Sequence, residues 1–495
     1  MNLRPATWIV AVSALAFLPV PQAWAGQEVY CIDEDGDGYG VACPAGPDVD
    51  DADPGVNTTA SALARYGSLD AILNHQGYSP ARTFFVAPGG DDGTGQPDNP
   101  SRPFASWSAV GPQLSEGDMV LYRAGTYTEG VSFVNVRGDP AAPVVVKAYP
   151  GETAVFDTGG NGVHIKGSRG ITIDGLTMQG DGTDNGVFVY SDQALGPGNF
   201  YPTSDIHVRR VEARGKSRGI GMFYDLHRIT VDDVVVHDNT SHGLYWGATE
   251  YTNDDLALRN SISYANGRHG FQHNGGVTGL SLEGNIFHSN TYGGISLLLG
   301  VRESSIRGNL VFNNARQGIV FFQYDDASGF PVRDQSDNTI EDNTIWVGYY
   351  GPDGSTEPHL HAAIEFTDAT AAQASAMADN LFSQNILVTQ DGPVFTFSDD
   401  RFAVATDIVE NLLYRHAGED CVLQTEGTCF SLQEWQSLHA TATENEFREP
   451  LFKDVSIHYW DDPSLFDFTI VPEPASLALF AVGALGVARR RRRRV

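Results

Sequence analysis

Through the middle of the chain, short runs of alternating apolar and polar residues are separated by asparagine and glycine at a spacing of about two dozen residues. Asn239, Asn266, Asn290 and Asn314 each stand four residues before a glycine, Gly243, Gly270, Gly294 and Gly318, in steps of 27, 24 and 24. After each glycine comes a strand pattern, Leu244/Trp246, Phe271/His273, Ile295/Leu297 and Ile319/Phe321, whose named residues should face inward. A second strand follows near Leu256 to Leu258, Leu280 to Leu282 and Ser304 to Ile306, then a turn at Asn260, Asn285 or Asn309, then a third short strand. Three strands and three turns in 24 residues leave no room for a helix. The Leu-x-x-Leu-x-Leu frame of leucine-rich repeats, the rival at this period, is absent. The pattern predicts an all-β solenoid in which residues one repeat apart become neighbours. Asparagine suits its turns, because it tolerates left-handed backbone and its amide hydrogen-bonds the next coil.

Weaker copies extend the repeat both ways: Gly162 to Lys166, Gly186 to Tyr190 and Gly219 to Phe223 upstream, Ala363 to Thr367 and Val394 to Ser398 downstream. Roughly ten to thirteen coils then fill Thr83 to Ile470, closed by Asn411 to Arg415, the loop around Cys421 and Cys429, and the segment from Ser431 to Phe468. The solenoid opens with Thr83-Phe84-Phe85-Val86-Ala87-Pro88-Gly89-Gly90, Pro103-Phe104-Ala105-Ser106-Trp107 and Gly117-Asp118-Met119-Val120-Leu121-Tyr122. This opening resembles that of secreted right-handed parallel β-helix proteins, pectate lyase family 9 among them. The resemblance implies a right-handed parallel β-helix over residues 83–470 whose first coil is capped by a short helix.

Composition agrees with strands and tight turns: Gly is abundant at 54, while Met (5) and Lys (4) are scarce. Acidic residues number 62 against 31 basic, and seven of the basic ones are Arg4 and Arg489 to Arg494 at the extreme ends. Such a charge repels phosphate backbones, so nucleic acid is excluded as a partner. Both ends look like address labels. Met1 to Ala25 has an early Arg4, an apolar run from Trp8 to Val20 and the small-x-small ending Ala23-Trp24-Ala25, the order of a secretory signal peptide. The other end reads Val471-Pro472-Glu473-Pro474, an apolar run from Ala475 to Ala488, then six arginines. At 1.5 Å per residue that run covers about 21 Å, short of a ~30 Å hydrocarbon core, so it fits a transient anchor. The tail over 471–495 resembles the PEP-CTERM sorting signal, which implies export, transient inner-membrane anchoring, cleavage by an exosortase-type protease and release to the cell surface or beyond.

Export makes the four cysteines disulfide candidates, and spacing suggests the local pairs Cys31 with Cys43 and Cys421 with Cys429, although sequence leaves other pairings open. The first loop encloses Asp33-Glu34-Asp35-Gly36-Asp37-Gly38, alternating carboxylates on a tight turn that suit a hard cation such as calcium. It is no EF-hand, because the twelfth position from Asp33 is Pro44. It resembles the short aspartate-rich calcium loops of thrombospondin type 3 repeats, with Asp48, Asp50, Asp51 and Asp53 as further ligands. The expected metal set is Asp33, Asp35, Asp37, Asp48 and Asp50, in a calcium module over 26–60 joined to the solenoid by a linker over 61–82.

If Leu244 and its equivalents face inward, the strand after each glycine presents two outward columns. The first holds His164, Phe188, Gly221, Tyr245, Gln272, Ser296 and Val320; the second holds Lys166, Tyr190, Phe223, Gly247, Asn274, Leu298 and Phe322. Aromatic residues on a long flat face stack sugar rings, and coils ~4.8 Å apart let an extended polymer run along them, so a glycan is the expected ligand. The residues just before the repeat glycines, Arg218, His242, His269, Gly293 and Gln317, form a rim column, with Lys216 and Arg268 close in sequence. In a polysaccharide lyase a cation neutralises the uronate carboxylate, a base takes the adjacent ring proton and an acid protonates the leaving oxygen. Arg218 or Lys216 is expected to neutralise, His242 or His269 to abstract, and Tyr245 to donate. His164, Lys166, Phe188, Tyr190, Phe223, Arg268 and Gln272 are expected to bind substrate. Competing expectations are wet turns at the rim and packing beneath loops for the aromatic residues; His273 falls inward as a core histidine. Pectate lyase family 9 uses a lysine base beside a calcium held by several aspartates, and no such quartet can be placed near Lys216, so no catalytic residue carries over. The sequence points to an exported, monomeric lyase or epimerase acting on an acidic extracellular polysaccharide. A glycoside hydrolase, or a non-catalytic calcium-stabilised matrix scaffold, stays open beside it.

Overall fold

The computed structural model describes residues 30–192, 201–323, 334–348, 362–368, 377, 379–390, 392–398, 406–415, 418–438 and 444–447. The expected leader over 1–25 and tail over 471–495 lie outside them. The described chain winds as a right-handed parallel β-helix with three strands per turn. The third face alone carries twelve strands, from Gly125–Tyr127 to Glu446–Phe447. Leu244 pairs in parallel with Phe271, Phe271 with Ile295 and Ile295 with Ile319, so positions one repeat apart are nearest neighbours. In places the first two strands of a coil merge, as in Leu244–Arg259.

The alternating pattern produces one apolar core along the axis. Leu244, Trp246, Phe271, Ile295, Leu297, Ile319 and Phe321 are all fully buried, and inward-facing His273 joins them. The expected asparagine ladder is built: Asn239 Nδ2 donates to Asn266 Oδ1 at 2.9 Å, Asn266 to Asn290 at 2.9 Å and Asn290 to Asn314 at 3.0 Å. A second ladder runs through Asn285, Asn309, Asn343, Asn385, Asn411 and Asn445. Each amide satisfies buried backbone that a turn would otherwise leave bare. The repeat glycine is steric in origin, since a Cβ on Gly294 would lie 2.3 Å from Val311 Cγ1 and 3.1 Å from Gly318 O.

The second face carries a column of alternating charge. Lys147, Asp174, Arg209, Asp232, Arg259, Glu283, Arg307 and Glu341 are registered neighbours on successive coils. Cross-strand neighbours of opposite sign attract, and a slip of one coil would set like charges side by side, so the column favours this register.

The cysteines pair as Cys31–Cys43 and Cys421–Cys429. Residues 61–82, expected to be a linker, instead carry most of the helix Thr59–Tyr66 and all of Leu69–His75. Thr58 and Ser68 cap these helices, with side chains accepting from Ser61 N and Ala71 N. Their apolar residues Ala62 and Ile72 pack with Val49 and Val56, and Leu73 packs with Phe85, Met119 and Leu121. The aspartate-rich loop also docks: Ile32 and Val41 cluster with Val235, Ile262 and Tyr264 of the third face. Trp107–Val110 forms the short helix of the opening segment, with the Trp107 ring 5.0 Å from that of Phe133.

Candidate functional site

The outward columns assemble in register as the alternation requires. Phe188 lies beside His164 and Gly221, Gly221 beside Tyr245, Tyr245 beside Gln272 and Gln272 beside Ser296. Their rings form a continuous half-buried strip. Centroid distances are 6.0 Å for His164 to Phe188, 5.5 Å for Phe188 to Phe223, 5.4 Å for Phe223 to Tyr245 and 5.0 Å for Tyr245 to His242. Tyr190 lies 4.7 Å from Phe188, and its hydroxyl hydrogen-bonds His164 Nε2 at 2.9 Å. Lys166 pairs with Asp192 at 3.0 Å rather than standing free.

The rim column is equally direct. The rings of His242 and His269 stack 5.9 Å apart on adjacent coils. His242 is 2% exposed and both nitrogens are engaged, Nε2 with Gln272 Oε1 at 3.0 Å and Nδ1 with Ser241 Oγ at 2.9 Å. The His269 side chain is half-buried, with its Nδ1 itself buried beside Gly293. Burial holds His242 down at about 4, with Arg218 and Arg268 adding to the effect, and holds His269 down at about 3, helped by His242 and the arginines Arg316 and Arg268. Both imidazoles are therefore neutral at physiological pH. Arg218 lies over the Tyr245 ring at 5.2 Å and the Phe223 ring at 5.6 Å. Tyr245 Oη accepts from Asn274 Nδ2 at 3.1 Å. Arg268 is exposed, with its guanidinium 5.8 Å from the Tyr292 ring.

Lys216 is a correction. Its side chain is fully buried, donating from Nζ to Thr158 O at 2.8 Å, Gly160 O at 2.9 Å and Thr158 Oγ1 at 3.2 Å. It stands three residues before its glycine, not four, and takes the ladder position that Asn239 holds one coil on, with its own N–H donating to Asn239 Oδ1 at 3.0 Å. A residue at that turn points inward, so Lys216 cannot neutralise a substrate on the face.

Sequence reasoning also missed two residues of these columns. Asn185 precedes Gly186 and is the registered neighbour of Arg218, so the rim column starts earlier than expected. Glu365 continues the outward column beyond Val320, is 5% exposed and is hydrogen-bonded by Gln317 Nε2. Burial pushes its carboxyl up to about 7. It stands four coils from Tyr245, about 19 Å, too far to act with it on one bond.

The aspartate loop suits a cation. Single carboxylate oxygens of Asp33, Asp35 and Asp37 all lie within 4.8 Å of one another. Asp33 is anchored by Gly36 N at 2.7 Å and Gly38 N at 2.8 Å. Asp35 Oδ2 and Asp48 Oδ2 are buried with no hydrogen-bond partner among the described residues. Burial and then the neighbouring aspartates raise Asp35, and push Asp48 up to about 6, the repulsion a divalent ion would relieve. Asp50 is drawn elsewhere: its Oδ2 accepts from Tyr66 Oη at 2.6 Å and meets His75 Nε2 at 2.8 Å, and against the upward push of burial these bonds hold its carboxyl below the usual range.

The coil geometry defines a right-handed parallel β-helix with one ring-lined face. The family described as right handed beta helix region matches residues 153–311 and 218–402, together half of the chain, and the chain belongs to it. Residues 471–493 match the PEP-CTERM protein-sorting motif. Mannuronan C5-epimerase AlgE4 of Azotobacter vinelandii is 30% identical over 162 residues, 32% of this chain and 25% of the epimerase, so the match spans a quarter of that relative's length. Among solved structures, the GH136 lacto-N-biosidase of Eubacterium ramulus superposes with a TM-score of 0.53 at 13% identity, over 76% of this chain and 68% of the other. Pectate lyase Pel9A gives 0.44 at 16% identity, over 55% and 77%. The likeness to the lacto-N-biosidase speaks to the fold alone.

Proposed function

We propose that the chain is an exported enzyme acting on an acidic extracellular polysaccharide, as a lyase or a C5-epimerase. The observation that carries this is the succession, on adjacent coils of a half-exposed aromatic face, of an arginine without an acidic partner among the described residues (Arg218) and two neutral imidazoles (His242, His269), beside Tyr245. Arg218 neutralises the uronate carboxylate and so acidifies the neighbouring C–H. His269, neutral on the coil next to His242, takes that proton. His242, held by Ser241 and Gln272, supports the His269 ring from the next coil. The Tyr245 phenol gives its proton to the leaving glycosidic oxygen as the C–O bond breaks, which yields an unsaturated end; delivered instead to the opposite face of the ring carbon, the same proton inverts it. With a chain charge of −31, attraction for a polyanion is local to Arg218 and Arg268.

The test is ultraviolet absorbance of unsaturated products on pectate, alginate and glycosaminoglycans with added calcium, paired with incorporation of solvent deuterium into each polymer. Absorbance marks the lyase, and deuterium without absorbance marks the epimerase. A flat trace and no exchange on every polymer sinks the lyase and epimerase readings; new reducing ends under those conditions then mark a hydrolase, and glycan binding without them supports the matrix scaffold.

In the same proposal, Asp33, Asp35, Asp37 and Asp48 hold calcium, which supplies charge compensation and no chemistry at the face. Chelation is expected to speed proteolytic cleavage within residues 26–60 by several-fold, and Asp33→Ala to do so without chelator. Identical cleavage rates with and without calcium would remove the metal from the account.

A further inference from the structure

The aspartate loop and the patch that docks on the solenoid belong to one hairpin. Ile32 and Val41 exchange backbone hydrogen bonds at 3.0 Å in both directions, Cys31 and Cys43 close the hairpin just outside them, and Asp33, Asp35 and Asp37 lie on the loop between. Gly40 lets the two strands close, since a Cβ there would lie 1.9 Å from Ile32 O. The hairpin covers outward residues of the third face: Ile32 and Val41 pack on Val235 and Ile262, and the Tyr30 ring lies 5.3 Å from that of Tyr264 and 4.2 Å from that of His288. His288 faces outward, because Phe287 beside it fills the core. It is nevertheless 1% exposed, stacked between Tyr264 and Phe312 and roofed by Tyr30. Docking also sets like charges together. It brings Glu34 and Asp51 to Asp233, on the turn between the second and third faces. Burial first, then Glu34 and Asp232, push the Asp233 carboxyl up to about 6; burial first, then Asp48, pushes Asp51 up to about 7, with Arg210 opposing both. Each keeps a buried oxygen with no hydrogen-bond partner among the described residues. The apolar contacts of Tyr30, Ile32 and Val41 favour docking, and repulsion within the loop and across this seam opposes it.

We propose that calcium occupancy of the aspartate loop controls this docking, so that at low calcium Tyr30, Ile32 and Val41 lift from the third face and bare an apolar stripe of Val235, Ile262, Tyr264 and His288. A divalent ion among Asp33, Asp35, Asp37 and Asp48 lowers the negative charge that the hairpin carries to Asp233 and holds the loop between Ile32 and Val41 in shape. The rest of the segment is anchored separately, by Val49 and Val56 against Ala62 and Ile72 and by Tyr78 on Asp174, so the hairpin can leave while the coils stay folded. Linkage makes the coupling reciprocal: whatever loosens the docked hairpin weakens the ion by the same factor. This inference rests on the reading that the loop holds calcium, and it adds a surface of the solenoid that is covered or bare according to that ion.

The experiment is modification of the full chain by diethyl pyrocarbonate, read histidine by histidine by mass spectrometry in calcium and in chelator, beside calorimetric titration with calcium. The reagent takes neutral imidazoles that it can reach. Burial holds His288 down at about 3, so it is neutral throughout and access alone sets its rate. Chelation is expected to speed modification of His288 by about tenfold or more, while His273, fully buried in the core, stays unmodified. Asp35→Asn should give the fast His288 rate even in calcium. Tyr30→Ala, which removes the roof and leaves the carboxylates in place, should do the same and should also weaken calcium binding. Calcium binding with one His288 rate in calcium and chelator overturns the coupling and leaves the ion in the loop. No calcium binding by the wild-type chain overturns the ion and the coupling together. Modification of His273 in step with His288 overturns the coupling as well, because the coils themselves are then opening.

Discussion

Asp174→Ala is expected to cost roughly 3–5 kcal/mol of stability, the scale for leaving buried charges without their partner. Asp174 is fully buried and holds together one network, accepting from Lys147 Nζ at 2.8 Å, Arg210 Nε at 2.8 Å and Nη2 at 2.5 Å, and Tyr78 Oη at 2.5 Å. Removing it strands Lys147, itself 4% exposed, and Arg210. It also leaves Tyr78, which ties the segment after the second helix to the solenoid, held there by Arg209 without its acceptor. The pH dependence has a definite sign. Burial pushes the Asp174 carboxyl up, but the charges of Arg210, Lys147 and Arg209 prevail and hold it well below 3.8. Its contribution is thus complete above the ordinary carboxylate value and is lost as pH falls below 3.8 toward the folded value. Urea midpoints measured across the acid range should show Asp174→Ala less stable at neutral pH and closing on the wild type in acid. A loss under about 1 kcal/mol, or parallel acid profiles, would mean that the network is not what secures this end of the molecule.

That network marks the boundary of what was legible in the sequence. The coil period could be read because four Asn and Gly pairs recur with almost constant steps, and strand alternation then decided which residues face out; His164 through Val320 fell into place on that rule alone. The rule stops at turns, where no two-residue alternation holds. Lys216 was misplaced for that reason, one residue of shortening before Gly219 having moved it to the inward ladder position of Asn239. Glu365 was legible in principle, since the strand Ile364–Asp368 alternates, but 45 residues separate Val320 from Glu365 and hide the register. Asn185 fails differently: its column is visible, but only the packing at Gly221 shows that its amide oxygen is left unpaired. The charge column on the second face needs the register of every coil before its alternation can be seen. The helices of residues 59–75 were missed because short capped helices in a polar segment carry little periodicity.

His269→Ala is expected to lower turnover by about 10²–10⁴-fold on the polysaccharide that the wild-type chain processes, the range for loss of a positioned base. Melting should change less than in His242→Ala, because the His269 residue is half-buried whereas His242 is 2% exposed. His242→Ala should lower turnover less and stability more, since that imidazole is 2% exposed and bridges Ser241 and Gln272. The pH profile separates a base from a merely structural ring. Burial first, then His242 and the arginines Arg316 and Arg268, keep His269 unprotonated down to about 3 rather than the ordinary 6.5. The acid limb of kcat/KM, which reports the free enzyme, should therefore fall near 3 and show no inflection at 6.5. A bound uronate brings negative charge beside the ring and favours its protonated form, so the acid limb of kcat should lie at higher pH than that of kcat/KM. Coincident limbs for kcat and kcat/KM, or wild-type turnover in His269→Ala, would move the proton abstraction to another residue of the face.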